Sequence, residues 1–381
     1  RLVFLAPVVV VALVLAVPAL ARRYHSSGQG DSTTIDLRQA AVAARGTDGA
    51  PGGVPATVPP DTPVPDTFNG VPVDRYAHEN EPWAVEHLRE VSVSRTFHDY
   101  FLGFRLGDFR APYLNVKDGR RVTYTPAKAN LTVWFFGGST MFGIGQRDDH
   151  TIPSIVAHLA ERDGIRVNAL NFGASGYVNF QETLLLAERL TELPTPDLVV
   201  FYDGANDSSL GHYRTGDGDL DPMAVDRLPL SDRERAEHRT SLGKPAALPP
   251  DQATSVAIAL SAEQYRRGVE ISRALADHYG FQIAHVWQPV PEAKPAHAAD
   301  AELLRRLRID PGDVPELTRR YEEVRRRSGV DPIDLTQSLD DVMQPVYFDS
   351  SHTNELGARV IATALYARIE PKLASLAAGR R

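Results

Sequence analysis

Four segments of strand length, alternating with helical patterns, most strongly limit how this chain can fold. The segments are Leu131–Phe136, Val167–Leu170, Leu198–Tyr202 and Gln282–Trp287. The first is a continuous apolar run, which is typical of a central parallel strand that is buried on both faces. The helical patterns cover Thr151–Arg162, Phe180–Leu190, Thr254–Tyr279 and Leu356–Leu376. Repeated strand–helix units of this kind predict an α/β fold in which helices cover both faces of a parallel sheet.

The N-terminal segment, residues 1–23, contains an almost unbroken apolar run from Leu2 to Ala21, followed by Arg22 and Arg23. A helix of this length measures about 30 Å, which matches the hydrocarbon thickness of a bilayer. We therefore expect a transmembrane anchor. A cleaved signal peptide is the alternative, because Ala19-Leu20-Ala21 has the form of a signal-peptidase site.

Residues 24–67 are rich in Pro, Gly, Ala, Thr and Ser, a composition that predicts a disordered tether rather than a packed core. A tether behind an anchor favours a body held outside the cytoplasm. Arg22 and Arg23, taken alone, argue for a cytoplasmic body. We therefore expect a single-pass membrane protein with an extracytoplasmic body, or a secreted one if the N-terminal segment is cleaved.

Three further segments complete the expected organisation. Residues 68–130 form an aromatic-rich N-terminal extension, in which Asp118-Gly119 indicates a hairpin turn. The main domain covers residues 131–378 and contains an irregular stretch, residues 211–251, that is either a lid insertion or disorder. The arginine-rich stretch 298–327 is interpreted as a solvated helix face with i,i+4 ion pairs, the alternative being a surface for anionic head groups or acidic glycans.

Composition excludes several classes of function. The 381 residues carry a formal net charge of −8, which gives no basic footprint for nucleic acid. The chain has no cysteines, so disulfides, cysteine-based metal sites and a thiol nucleophile are all excluded. No oligomeric state is predicted.

The block Gly137-Gly138-Ser139-Thr140 follows the first predicted strand. Ligands of open α/β sheets lie at the carboxyl ends of the strands, so Ser139 is placed where a nucleophile is needed. A helix predicted to begin near Ser139 would direct its N–H groups and positive dipole end at an oxyanion. The alternative is that Ser139 or Thr140 only caps this helix.

Two more blocks follow the second and third strands, Asn171-Phe172-Gly173 and Gly204-Ala205-Asn206-Asp207. The Gly173 N–H and the Asn206 amide are candidate hydrogen-bond donors to the same oxyanion. Each alone is equally well explained as a turn residue. Several donors on adjacent strand ends are, however, what acyl transfer requires.

The fourth block, Asp349-Ser350-Ser351-His352, comes before the last predicted helix. Residues three apart share one face of a helical turn, so His352 is a candidate base for Ser139 and Asp349 the acid that orients it. The alternative is a histidine in an ordinary helix-capping role. Asp-x-x-His without a second histidine nearby is a weak ligand set, so no metal and no cofactor is expected. His98, His150, His212 and His297 lack such a context and are assigned to the surface or the core.

Together the four blocks resemble the SGNH (GDSL-type) hydrolase family over Leu131–Leu376. The resemblance implies a flavodoxin-like three-layer α/β/α fold and hydrolysis of esters or thioesters without a metal. It also implies a triad of Ser139, His352 and Asp349, with oxyanion donors at Ser139, Gly173 and Asn206. The family's usual Gly-Asp-Ser reads Gly-Gly-Ser here, which removes no triad member but leaves the substrates of better-known branches in doubt.

The resulting expectation is a membrane-tethered serine esterase that acts on an acetyl or other acyl ester of a cell-envelope glycan or lipid. One alternative is an O-acyltransferase that uses the same triad, with a sugar hydroxyl in place of water. The other is a non-catalytic envelope protein that binds through an inactive scaffold of this family.

Overall fold

The computed structural model describes residues 56–68, 71–72, 76–94, 96–99, 101–214, 250–294 and 298–380. All of them belong to the unit that spans residues 47–381. The predicted membrane segment, most of the predicted tether and nearly all of the predicted lid lie outside these residues. None of the helices in the described ranges combines the length and the apolar character of a membrane span.

The described strands fall into one large sheet and two small hairpins. The strands are β1 (Thr67–Phe68), β2 (Val71–Pro72), β3 (Thr96–Asp99), β4 (Gly103–Leu106), β5 (Phe109–Arg110), β6 (Asn115–Lys117), β7 (Arg120–Arg121), β8 (Leu131–Gly137), β9 (Val167–Asn171), β10 (Leu198–Asp203), β11 (Gln282–Trp287) and β12 (Ile333–Asp334). β1 pairs with β2 and β3 with β4, both antiparallel. The other eight strands form one sheet in the order β12-β11-β10-β8-β9-β7-β6-β5.

The five strands from β12 to β9 are all parallel, as the apolar runs predict. Each of the four predicted strands is confirmed, with its end shifted by at most one residue. Ranked by chain order, the parallel strands are arranged 2-1-3-4-5, which is the flavodoxin-like order. Its switch point lies between β8 and β10, so the loops that leave these two strands diverge and open a crevice at their carboxyl ends.

Helices cover both faces of this sheet. They are α1 (Ala84–Val93), α2 (Ser139–Phe142), α3 (Ile152–Arg162), α4 (Asn179–Glu192), α5 (Ala205–Arg214), α6 (Pro250–Tyr279), α7 (Ala298–Arg306), α8 (Val314–Ser328) and α9 (Glu355–Ala378). On one face, Val133 and Phe135 pack in a core with side chains of α3 and α9. On the other, Trp134 and Phe136 pack with side chains of α4 and α6. Successive β8 residues therefore alternate between the two cores, as strand geometry requires.

The N-terminal extension continues the sheet beyond β9. The predicted hairpin is confirmed: β6 pairs with β7, and Asp118 and Gly119 between them have φ angles of 53° and 68°. Positive φ at both central residues is the turn that best fits the twist of a hairpin. Arg121 at the end of β7 then pairs antiparallel with Asn171 at the end of β9.

The chain after β7 follows the edge of β9 without forming a regular ladder. The Thr123 hydroxyl donates to the Ala169 carbonyl at 2.5 Å, and the Thr125 hydroxyl to Asn168 Oδ1 at 3.4 Å. The extension is thus tied to the sheet by one strand and two threonine side chains.

The arginine-rich stretch forms α7 and α8, and its arginines pair with glutamates one turn away. Arg319 and Arg320 both bind Glu316, and Arg326 and Arg327 both bind Glu323. This is the solvated helix face that was predicted. Exposed pairs of this kind contribute little to stability, because solvent screens the charges.

Candidate active site

Ser139 stands directly beyond β8, as the first residue of α2. This helix is a single turn, because Gly143 adopts a left-handed conformation with φ of 89° and ends it. The helix predicted to begin near Ser139 is confirmed, but its four residues sum few peptide dipoles, so its dipole at the site is small. The turn places Ser139 at the sheet's switch point.

Ser139, His352 and Asp349 are brought together in one chain of hydrogen bonds. Ser139 Oγ lies 2.6 Å from His352 Nε2, and His352 Nδ1 lies 2.6 Å from Asp349 Oδ2. All three residues are buried, with exposed fractions of 7%, 4% and 3% respectively. An ionised carboxylate only accepts hydrogen bonds, so Nδ1 carries the proton and Nε2 is left to accept from the serine hydroxyl.

The sequence spacing predicted that Asp349 and His352 share one face of a helical turn. This is wrong, because the loop that carries them is not helical. Asp349 Oδ1 accepts the N–H groups of Ser351 at 2.9 Å and His352 at 2.7 Å, which closes an Asx turn ahead of α9. An isolated bridge between Tyr347 and Thr353 holds the base of this loop. Asp349 therefore shapes the loop with one oxygen and holds the imidazole with the other.

The electrostatics of Asp349 suit an orienting acid. Burial alone would raise its pKa, but the charge of His352 and the hydrogen bonds from His352 and Ser351 together hold the pKa below its ordinary value. The carboxyl thus remains ionised across the neutral range, in the form that stabilises an imidazolium.

Gly173 packs against α2, the single helical turn that begins at Ser139. Its N–H donates to Asn171 Oδ1 at 2.9 Å, while Asn171 Nδ2 donates to the Met141 carbonyl at 2.8 Å. A Cβ at Gly173 would lie 2.3 Å from the backbone nitrogen of Phe142. The N–H predicted to serve the oxyanion is therefore occupied in this structure, and the close approach explains why the position requires glycine.

Asn206 lies beside Gly138, the residue that precedes Ser139. Its Nδ2 donates one hydrogen to the Tyr177 carbonyl at 2.8 Å, which leaves the second hydrogen of the amide for another acceptor. A Cβ at Gly138 would lie 2.3 Å from this Nδ2 and 3.3 Å from the Tyr177 oxygen. The second glycine of the Gly-Gly-Ser block is thus what allows the amide to approach.

The turn that carries Tyr177 was missed from the sequence. The Tyr177 N–H donates to the Ala174 carbonyl, and Gly176 has φ of +74° at the third position of this turn. The Ser175-Gly176 dipeptide is a turn signal that was available in the sequence. Gly176 therefore belongs to the turn that borders Asn206, whereas Gly173 does not.

Arg121 is a second residue that sequence reasoning missed. Its guanidinium is buried and binds Asp148 at 2.7 Å and the carbonyls of Gln146 at 2.8 Å and Tyr113 at 3.2 Å. It thereby holds the loop that follows α2. No sequence pattern predicts this role, because the partners of Arg121 lie in two separate segments of the chain.

Behind Asn206 lies a cluster of three buried carboxyls, Glu182, Asp203 and Asp207. Asn179 Nδ2 donates to Asp203 at 2.7 Å, and the Asn179 N–H donates to Asp207 at 3.0 Å. Neither oxygen of Glu182 has a donor within the described part of the chain, yet the Asp203 carboxyl is within hydrogen-bonding reach. Burial and mutual repulsion raise the pKa of Glu182 and of Asp203 well above their ordinary values, and burial raises that of Asp207 to about 6. We therefore expect Glu182 and Asp203 to hold one proton between them.

A shared proton predicts that stability falls as pH rises. The native pair keeps a proton that unfolded carboxyls release above their ordinary pKa of about 4. The free energy of unfolding therefore decreases above that pH, by up to about 1.4 kcal/mol per pH unit for one proton, until the pair itself ionises. We expect Glu182→Gln, whose amide supplies a non-titrating hydrogen to Asp203, to flatten this slope in chemical denaturation between about pH 5 and 8.

The control for this prediction is Glu370→Gln, which replaces a partly exposed carboxyl on α9 and should leave the slope as in the wild type. An identical slope in Glu182→Gln and the wild type would contradict the shared proton.

No group of three or more His, Asp or Glu side chains in the described ranges is arranged to hold a metal ion.

No family model matches this chain, and no curated protein matches it. Solved structures with a similar fold include an acetyl xylan esterase, AlAXEase, which is 14% identical, with a TM-score of 0.37 over 63% of this chain and 100% of its own. The lipase/acylhydrolase from Enterococcus faecalis is 16% identical, with a TM-score of 0.33 over 64% of this chain and 96% of its own. A protein from Desulfitobacterium hafniense, described as lipolytic and of the G-D-S-L family, is 12% identical, with a TM-score of 0.33 over 62% of this chain and 99% of its own.

Proposed function

We propose that this chain is an SGNH-type serine esterase that cleaves an ester through an acyl-enzyme. The observation that carries the proposal is the continuous hydrogen-bond chain from Ser139 Oγ through the His352 imidazole to Asp349, with 2.6 Å at each step. A nucleophile in contact with a base that is itself oriented by a third group is the arrangement that acyl transfer requires.

The first step follows from the protonation states of the three groups. Ser139 Oγ attacks the acyl carbonyl, and its proton passes to His352 Nε2. Asp349 keeps Nδ1 protonated and stabilises the imidazolium that forms. His352 then returns the proton to the leaving alcohol, and water repeats the sequence to release the acid and free Ser139.

The oxyanion is held by the Ser139 N–H, the Asn206 amide and the Gly176 N–H. We assign the third donor to Gly176 rather than to Gly173, because the Gly173 N–H is bound to Asn171. Support comes from the Tyr177 carbonyl of the Gly176 turn, which accepts a hydrogen bond from Asn206 at 2.8 Å.

Removing the amide donor provides a graded test of this assignment. We expect Asn206→Ala to lower kcat for p-nitrophenyl acetate by roughly 10²–10³, the cost of deleting one oxyanion donor. Asn168→Ala, near the N-terminal end of strand β9, serves as the matched control. Equal loss in both variants would remove Asn206 from this role.

For location and substrate, we propose a membrane-tethered enzyme whose catalytic unit lies outside the cytoplasm. Support comes from the Leu2–Ala21 apolar run and the Pro- and Gly-rich residues that follow it. Esters within reach of such a tether are acylated envelope glycans and lipids, and these are the proposed substrates.

The proposal is tested by treating the purified full-length chain with a fluorophosphonate probe and locating the adduct by peptide mass spectrometry. We expect one adduct on Ser139 that disappears in His352→Ala. An adduct elsewhere, or none on folded protein, would overturn the assignment. Product analysis of an acetylated glycan, with and without a hydroxyl acceptor, then separates hydrolysis from acyl transfer.

A further inference from the structure

Two histidines of the segment Tyr76–Val93 are buried, although this segment precedes all the strand–helix units. His78 is 4% exposed and His87 is 0% exposed. Neither ring nitrogen of His78 has a hydrogen-bond partner in the described ranges, and burial lowers its pKa to about 4. His78 is therefore a neutral ring whose interactions are those of its faces and edges.

The ring of His78 is one of three neighbouring rings, the last of which belongs to the proposed base. The His78 centroid lies 4.8 Å from that of Phe348 at a tilted interplanar angle of 52°, and the Phe348 centroid lies 5.8 Å from that of His352 at an interplanar angle of 24°. Phe348 is fully buried between the two imidazoles. Because a packed interior transmits displacement, removing His78 allows Phe348, and with it His352, to move.

The backbone of the same segment contacts the C-terminal end of the catalytic loop, residues 346–354, which carries Asp349 and His352. Asn354 Nδ2 donates to the Ala77 carbonyl at 2.8 Å and to the Pro345 carbonyl at 3.0 Å. Asn354 Oδ1 caps α9 by accepting the Gly357 N–H at 3.0 Å. One side chain therefore joins the loop, the helix that follows it and the N-terminal segment.

His87 acts on Phe348 through the backbone of Gly145. Its Nε2 accepts the Gly145 N–H at 3.0 Å, so this nitrogen is unprotonated. A Cβ at Gly145 would lie 2.3 Å from the Phe348 ring, so the glycine backbone packs closely against this ring. His78 and His87 thus confine the phenylalanine that lies against the base.

Trp83 adds a contact to α9. The Arg147 guanidinium lies 4.7 Å from the Trp83 ring centroid and binds Glu355 through two bonds of 2.7 and 2.8 Å. A paired guanidinium on an aromatic face is a geometrically specific contact. The first residue of α9 is thereby joined to the helix that carries His87.

We propose that Tyr76–Val93 is a positioning element of the active site, which holds the catalytic loop 346–354 in place through the ring contacts from His78 through Phe348 to His352 and the Asn354–Ala77 hydrogen bond. The inference rests on the proposed function of His352 as the base. No residue of Tyr76–Val93 is one of the proposed reacting groups, so the effect of this segment is on the alignment of the His352 imidazole.

The test compares His78→Ala and His78→Phe in the full-length chain with p-nitrophenyl acetate as substrate. Misplacing a catalytic group by about 1 Å costs about 10²-fold in rate, so we expect His78→Ala to lower kcat by about this factor with little change in KM. In His78→Phe an aromatic ring again packs against Phe348, so this variant should recover most of the wild-type kcat. In hydrogen exchange, the Phe348 and Asn354 amides should lose protection in His78→Ala and keep it in His78→Phe.

The matched control is His158→Ala, because the exposed His158 also stacks on an aromatic ring, Tyr124, at 3.6 Å. A second variant, Asn354→Asp, keeps an equally good helix cap but removes the donor to Ala77, and should lower kcat similarly. Wild-type kcat in both His78→Ala and Asn354→Asp would overturn the inference. If the wild-type chain neither turns over nor labels, the proposed function fails, and unchanged exchange protection in His78→Ala would then overturn the inference separately.

Discussion

Replacing Ser139 by alanine is expected to lower ester turnover by about 10⁶-fold, the order found when a single member of a cooperating triad is removed. The change deletes one oxygen from a buried turn, so the fold should persist. The measurement is the rate of p-nitrophenyl acetate hydrolysis, together with loss of the fluorophosphonate adduct. Because the triad acts as a unit, Ser139→Ala with His352→Ala should be little worse than either alone.

The chain supplies its own matched control for this prediction. Ser272 Oγ lies 2.9 Å from His285 Nε2, and both residues are buried, so a second serine–histidine pair exists in the core. Burial lowers the pKa of His285 to about 3, which opposes its taking up a proton. We expect Ser272→Ala to retain wild-type turnover and Ser272 to remain unlabelled. Persistent turnover in Ser139→Ala would instead show that the nucleophile lies elsewhere.

Asp349→Asn is expected to lower kcat by about 10⁴-fold, the order of loss when the orienting acid of a triad becomes an amide. In the wild type, Asp349 Oδ2 accepts from His352 Nδ1. An amide nitrogen in that place donates to Nδ1 instead, so the remaining proton moves to Nε2 and the imidazole can no longer accept from Ser139. The oxygen that closes the Asx turn is kept, so the loop should retain its shape.

Asp334→Asn is the control for this substitution. Asp334 also closes a short turn, accepting the Thr336 N–H at 2.9 Å and the Thr336 hydroxyl at 2.7 Å, and its other partner is Arg325. We expect it to leave kcat unchanged. A similar kcat for Asp349→Asn and the wild type, measured with p-nitrophenyl acetate, would show that His352 needs no orienting acid.

The strands and long helices could be predicted from the sequence. Buried strands are rich in apolar residues, and the helices between them begin and end at capping, proline or glycine residues. The three residues that the structure joins by hydrogen bonds, Ser139, His352 and Asp349, were also named from the sequence, but the local structure that joins them was not. An Asx turn and a helical turn both bring Asp349 near His352, and spacing does not separate them. Gly173 and Gly176 are likewise both turn glycines, and only the hydrogen bond from Gly173 to Asn171 tells which N–H is occupied.

The role of residues 68–130 was beyond sequence reasoning for a different reason. The hairpin turn at Asp118-Gly119 is a local signal, whereas the pairing of Arg121 with Asn171 joins residues far apart in the chain. His78 packs against Phe348, which lies 270 residues further along the chain. The apolar patterns of strands (period 2) and helices (period 3.6) show which face of an element is buried, but not which distant residues it contacts.

The threonine contacts along β9 have a consequence for how molecules of this protein meet one another. An open strand edge offers a row of unpaired N–H and C=O groups, which is a template for pairing with another chain and hence for aggregation. Here the Thr123 hydroxyl already occupies the Ala169 carbonyl, and the chain beside it is too irregular to continue a ladder. Removing residues before 131 would uncover this edge, so a shortened form should lose solubility as well as the contacts of the extension.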